Sequence, residues 1–399
     1  MATAESEARP DQEQRVTPLE LFFDLVFVLS FTQVTATMAE DPSWERIGEG
    51  LLILAAVWWA WAAYAWLTNE IDPNENLNRL LVFLAMGAML VVSLVIPETF
   101  GSQGVLFGCA YLVVRLIHLA LYVRAGRAEE EDGLLKAALG LAPGVLLGGA
   151  LLIVAGTQEG EVRVALWVAF LLLDYSAPLV AGVEGWHLAP GHFAERHGLI
   201  VIIALGESVV AIGVGAGFAI NSGEVVAALL AIAMICALWW AYFDIVSLVA
   251  ERRLTEAVGG ERNALARDSY SYLHLPMIAG IVLLALGLEQ TFHHVDEPLK
   301  TVPAIALCGG VALYLLAHIA FRLRNVGTLN RHRGVAMLAV LALIPLALEV
   351  EALVALAAVT AVLVVLVTYE AIRFREARAR VRANPSLTLA EMRGQPLGR

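Results

Sequence analysis

Glu20 and Asp24 lie four residues apart in an otherwise apolar stretch. On a helix that spacing puts both carboxylates on one face. Arg115 and His118, three apart, share a face in the same way, with Tyr111 one turn before Arg115. Asp174, Glu207, Asp244, His274 and His318 each interrupt an apolar run. Arg196 stands eleven residues before Glu207, on nearly the same helical face. In hydrocarbon a charged side chain costs at least about 2.5–3.5 kcal/mol, so such groups pair with one another or mark a solute or proton pathway. Two readings fit them: a charge network that serves transport, and ion pairs that hold helices together. For Arg115 a structural pairing is the simpler reading. For Glu20 it is a carboxylate at a helix start, stabilised by the N-terminal dipole. Glu207 is expected to face the bundle interior, near a water-filled cavity or near Arg115, read as the one arginine within a helix interior.

Other chemistry finds little support. His293 and His294 with Asp296 and Glu297 could hold a metal, but a solvated loop explains them as well. No Gly-x-Ser-x-Gly, His-Glu-x-x-His, phosphate loop or dinucleotide fingerprint occurs in a suitable context. Cys109, Cys236 and Cys308 are scattered through apolar runs and suggest neither disulfides nor metal ligands. No enzyme activity, metal or cofactor is therefore expected. With a net charge of -12 and no basic stripe, neither is nucleic acid. Trp58, Trp59, Trp61, Tyr64 and Trp66 cluster in one run, and Trp239, Trp240 and Tyr242 in another. An interfacial aromatic belt is the default reading, an aromatic-lined path the alternative. Gly206, Gly213 and Gly217 make a small-residue face suited to helix packing.

These residues need a scaffold that crosses a membrane. Apolar residues make up 59% of the 399 and charged residues 16%, against roughly half and a quarter in soluble domains. About 20 apolar residues, at 1.5 Å each, span the hydrocarbon core. Runs of that length recur too often for a buried core. The expected fold is all-α, a polytopic integral membrane protein of about twelve transmembrane helices. They fall near 18–38, 49–68, 79–97, 104–123, 135–156, 163–183, 198–220, 225–248, 272–292, 302–321, 334–348 and 351–371. Pro143 and Pro345 should kink the fifth and eleventh, and the chain after 373 should fray. Residues 1–17 lack an apolar core, so the first helix is the expected insertion signal.

Charge asymmetry orients the bundle. With the N-terminus inside, 22 of the 26 Lys and Arg fall on cytoplasmic segments and 3 on outer ones, leaving Arg115 within a helix. That places both termini in the cytoplasm, in an inner membrane, and favours an even helix number. An internal repeat also emerges. Trp58-Trp59-Ala60 matches Trp239-Trp240-Ala241, Tyr111 with Arg115 matches Tyr314 with His318, and Pro143 matches Pro345. The chain then divides into a segment 1–17, a six-helix repeat 18–184, a second 192–372 and an Arg-rich tail 373–399. Two even-numbered repeats insert the same way up, so they are parallel.

The run Glu20 to Val28, the run Trp58-Trp59-Ala60-Trp61 to Asn69, and His192-Phe-Ala-Glu-Arg-His-Gly198 leading to Glu207-Ser208 resemble the bacterial low temperature requirement A family over nearly the whole chain. The resemblance implies a multi-pass membrane fold and no particular reaction. It marks Glu20, Asp24, His192, Glu195, Arg196 and Glu207 as signature positions. Phe23-Asp24 is also similar to the first-helix Phe-Ser-Asp signature of a class of potassium channels. The seventh helix departs from that pattern, having no such aspartate. The expected function is secondary transport of a small solute, proton-coupled through Glu207 or Asp24, with a cation channel or a membrane sensor as alternatives. The expected partners are the lipid bilayer and a small solute or ion, and a homo-oligomer is compatible with both.

Overall fold

A computed structural model describes residues 15–128, 133–180, 182, 185–216 and 221–383. Within them the fold is all-α. The first half comprises α1 (Pro18–Glu40), α2 (Trp44–Leu67), α3 (Asn76–Val95), α4 (Gly104–Ala128), α5 (Gly133–Ala155) and α6 (Gly160–Val180). The second comprises α7 (Pro190–Ala216), α8 (Ser222–Phe243), the short α9 (Val246–Glu256) and α10 (Gly259–Leu265), then α11 (His274–His293) and α12 (Thr301–Val326). It closes with α13 (Arg331–Ala342), α14 (Ile344–Ala347), α15 (Ala352–Arg373) and α16 (Arg375–Ala383). A wide-turn helical segment, Ala266–Tyr272, joins α10 to α11.

Among the described residues, eleven helices are long and apolar enough to cross a membrane. Each of the twelve expected helices has a helical counterpart. The eleventh is broken at Leu343 into α13 and α14, and neither piece is among those eleven. Pro345 explains the break, because its ring excludes a donor and clashes with the preceding turn. Pro143 instead sits inside an unbroken α5. The chain beyond Arg373 stays helical through α16 rather than fraying at once. Residues 1–14, Gly217 and 384–399 lie outside the described residues.

Local chemistry fixes the ends that matter for the site. Thr17 caps α1: its hydroxyl accepts from the Glu20 N–H at 3.3 Å, and Glu20 Oε2 accepts from the Thr17 N–H at 2.8 Å. This capping box satisfies two of the helix's orphan donors. Asn221 and Glu224 cap α8 in the same way.

In packing, α1 touches α2 and α3 of its own half, and α7 and α11 of the other. α2 packs on α4 and α6, as α8 does on α15. The α11–α12 contact is among the closest. A methyl group at Gly280 would sit 2.6 Å from the Gly310 carbonyl oxygen and 2.8 Å from the Tyr314 nitrogen. Small residues let these backbones approach. Gly206 and Gly213, expected to form such a face, have nothing within 4 Å, and Gly215 is the packing glycine of α7 instead. The register explains this correction: Gly215 lies on the α11 side, against Glu289 and Phe292.

The tryptophans divide. Trp58, Trp61 and Tyr64 are fully buried, whereas Trp239 and Trp240 are exposed at 44% and 43%. The first group is core between the halves rather than a belt. Its indoles donate inward: Trp58 Nε1 to the Ser271 carbonyl at 2.7 Å and Trp66 Nε1 to the Ser271 hydroxyl at 2.8 Å.

Candidate functional site

α1 and α7 run side by side, and their polar residues meet as successive rungs. Glu20 Oε1 lies 2.9 Å from His192 Nε2. One turn on, Asp24 Oδ1 accepts from Arg196 Nη2 at 2.6 Å and from Trp61 Nε1 at 2.9 Å. Arg196 Nη1 also donates to Glu20 Oε1 at 3.3 Å and to Thr68 Oγ1 at 3.1 Å. The i,i+4 acids of α1 thus meet the i,i+4 bases of α7 in the same order, which requires the two helices to be parallel. Arg196 and Asp24 are wholly buried. Such a pair is retained only with close geometry, because two charges have left water. Glu20 therefore does two things: one oxygen caps α1 and the other joins the charge network. Glu195 does not join it. It is exposed, accepting from the Val16 N–H at 3.3 Å, because it points about 100° around α7 from Arg196.

A third rung lies nearer the far end of α7. Glu207 Oε2 accepts from Thr32 Oγ1 at 2.5 Å and is buried. Its expected proximity to Arg115 is not found. Arg115 pairs with Asp174 at 3.0 Å, within the first half. Nor is Arg115 the one arginine inside the bundle: Arg196 and Arg333 are buried too. Among the described residues, no cation forms an ion pair with Glu207. Phe27, Phe31, Val201 and Ala204 of the same two helices are buried as well.

The Arg115–Asp174 pair lies on the wall of a cavity of about 90 Å³ between α2, α4, α5 and α6. Trp59, Trp66, Tyr122 and Trp186 supply aromatic walls, and His118 lines it as well. His118 does not pair with Arg115; its Nε2 faces the Ala63 carbonyl at 3.1 Å. Among the described residues, Arg115 Nε and Nη1 and Asp174 Oδ2 are buried without a hydrogen-bond partner. Arg267 and Ser271 complete the rim. A wider polar vestibule of about 890 Å³ opens beside it, with His192, Glu195, Glu251 and Arg262 on its walls. His192 links the vestibule to the α1–α7 seam.

The remaining expected residues lie in the second half and do not enter that seam. His274 Nε2 accepts from the Tyr242 hydroxyl at 2.8 Å, and its Nδ1 donates to the Ser269 carbonyl at 3.0 Å. His318 Nδ1 lies 2.8 Å from Arg333 Nη1, and Arg333 pairs with Glu370 at 3.0 Å. Asp244, at the end of α8, is held by Arg378 and Arg382 of α16. Sequence reasoning missed Thr32, Arg333, Glu370 and Arg267. Arg333 and Arg267 were counted only as orienting charges. Glu370, an acid inside the last apolar run, was a signal of the same kind as Glu207. Thr32 carries no such signal, since threonine is ordinary in a membrane helix. Among the described residues no group of three His, Cys, Asp or Glu could hold a metal ion.

Comparisons with known proteins agree with this architecture. A family model described as bacterial low temperature requirement A protein (LtrA) matches residues 15–368. The chain is also 28% identical over 316 residues to an uncharacterized protein of Rhizobium meliloti (strain 1021), covering 76% of each chain. No solved structure matches.

Proposed function

The chain belongs to the bacterial low temperature requirement A family, and on that premise we propose that it is a secondary transporter of a small solute rather than an enzyme. The aromatic cavity between α2, α4, α5 and α6 is the solute site. The observation that carries this reading is Arg115, which lines the cavity and whose buried Nε and Nη1 have no acceptor among the described residues. A buried donor left unsatisfied costs about 1–3 kcal/mol, more for a charged group. A solute that accepts from it would recover that cost. Apolar walls with a few convergent polar groups are the usual make-up of a small-molecule site.

Glu207 is the proton-coupling group in this reading, because it is a buried acid with a hydroxyl partner and no counter-cation among the described residues. Asp24, clamped by Arg196 and Trp61, is structural. The two six-helix halves, 18–184 and 192–372, are parallel repeats that move against each other along the α1–α7 seam. The protein sits in the inner membrane with both termini in the cytoplasm, its partners being lipid and the solute, without nucleic acid. Proteoliposome uptake with and without an imposed proton gradient tests the assignment. Concentrative, gradient-dependent uptake is expected, reduced at least tenfold by Arg115→Gln. Uptake that ignores both the gradient and Arg115→Gln would overturn it, and ion current without coupling would favour a channel.

A further inference from the structure

The second half contains a cavity at the corresponding place. It measures about 210 Å³ and lies between α8, α12, α13 and α15, with α16 across it. Counted through the interruptions at α9, α10 and α14, these are the second, fourth, fifth and sixth helices of their half. The first cavity lies between the same four of its own. Trp59 walls one and Trp240 the other. In each, a buried arginine pairs with a carboxylate of the sixth helix: Arg115 with Asp174, and Arg333 with Glu370.

We propose that this second cavity is a binding site for a small organic carboxylate and that α16 is the cover through which the carboxylate exchanges. Charge and hydrogen bonding both select an anion. Arg322, Arg333 and Arg378 face Asp244 and Glu370 across the cavity. Glu370 is taken up by Arg333, which reaches it through Nε at 3.1 Å and Nη2 at 3.0 Å. Asp244 is shared between Arg378 and Arg382. One carboxylate between two guanidinium groups leaves surplus positive charge at the rim. His318, which lines the cavity, adds a donor. Its Nδ1 accepts from Arg333 Nη1, so its proton sits on Nε2, which is buried and has no partner among the described residues. An oxygen acceptor bearing negative charge satisfies both features. Ala241, Val246, Phe374 and Val381 line the rest, so the body of the ligand is apolar.

The cover is built to hold and to lift. Arg378 and Arg382 grip one carboxylate from successive turns of α16, and Arg252 donates to the Val381 carbonyl. Ala377, Arg378 and Val381 face the cavity, whereas Arg382 does not line it. Loosening Arg382 therefore changes access without changing the wall.

The site rests on the transport reading only by correspondence of position, and the test separates the two. Radiolabelled benzoate is the probe, bound at equilibrium to the full-length protein in nanodiscs. Two sites per chain are expected. Ala377→Trp should fill the second cavity and leave one site. Gly144→Trp should fill the first and also leave one. Arg382→Ala should keep two sites and raise the exchange rate of one of them several-fold. Val381→Trp replaces Ala377→Trp if that variant does not fold. A folded Ala377→Trp or Val381→Trp protein that still binds two benzoates overturns the second site and leaves the first intact. Complete loss of binding in folded Gly144→Trp also overturns it. Benzamide competing as well as benzoate refutes the carboxylate class, and no binding to the unaltered protein refutes benzoate recognition in both cavities.

Discussion

Arg196→Met is the sharpest perturbation of the α1–α7 seam. Methionine keeps much of the apolar stem and removes the charge. Asp24 then keeps only the Trp61 donor at 2.9 Å, and its Oδ2 already lacks a partner. Glu20 is better protected, since Thr17 and His192 still contact it. The cost therefore falls mainly on one wholly buried carboxylate. Breaking such a pair from one side typically costs about 3–5 kcal/mol. Restoring neutrality with Asp24→Asn in the same chain should recover much of this, because asparagine still accepts from Trp61. The coupling between the two sites should be about 2–3 kcal/mol, within the range for residues in one network. Reversible unfolding by titrating dodecyl sulfate into dodecyl maltoside micelles measures all four members of the cycle. An Arg196→Met protein that unfolds with the unaltered one, or a double variant no better than the single, would refute the account of the seam.

Three further outcomes follow from the same geometry. Glu207→Gln retains an oxygen for Thr32 and strands no cation, so stability should change by less than about 1 kcal/mol while gradient-driven uptake is lost; coupled uptake at the normal rate would remove Glu207 from the pathway. Gly280→Leu drives a side chain into the backbone of α12 and should cost about 1–3 kcal/mol or more, whereas Gly206→Leu, with open space around it, should stay within about 0.5 kcal/mol; thermal melting of the two compares them directly. Single cysteines placed at Glu75 and Asp296 in a cysteine-free background should differ toward an impermeant maleimide, Asp296 labelling in intact cells and Glu75 only after lysis. Equal labelling would contradict the cytoplasmic assignment of the α2–α3 connection.

Much of the architecture was legible because a membrane imposes one-dimensional rules. Every backbone polar group must be satisfied within its own segment, so long apolar runs had to be helices, and their positions could be read without knowing any contact. Rare charges within those runs were legible for the same reason: Asp24, Arg115, Asp174, Glu207 and His318 are all buried. Partner choice was not. Helical spacing tells which residues share a face but not which helix that face meets. Glu207 found Thr32 of α1 rather than Arg115, because α7 packs beside α1 while α4 lies with α3 and α5 of its own half. Likewise Glu195 and Arg196 are neighbours in sequence, and only the placement of α1 made one exposed and the other wholly buried. The cavities belonged entirely to the tertiary structure. They are spaces left between four helices, and no single stretch of sequence carries the sum of side-chain volumes that leaves them open.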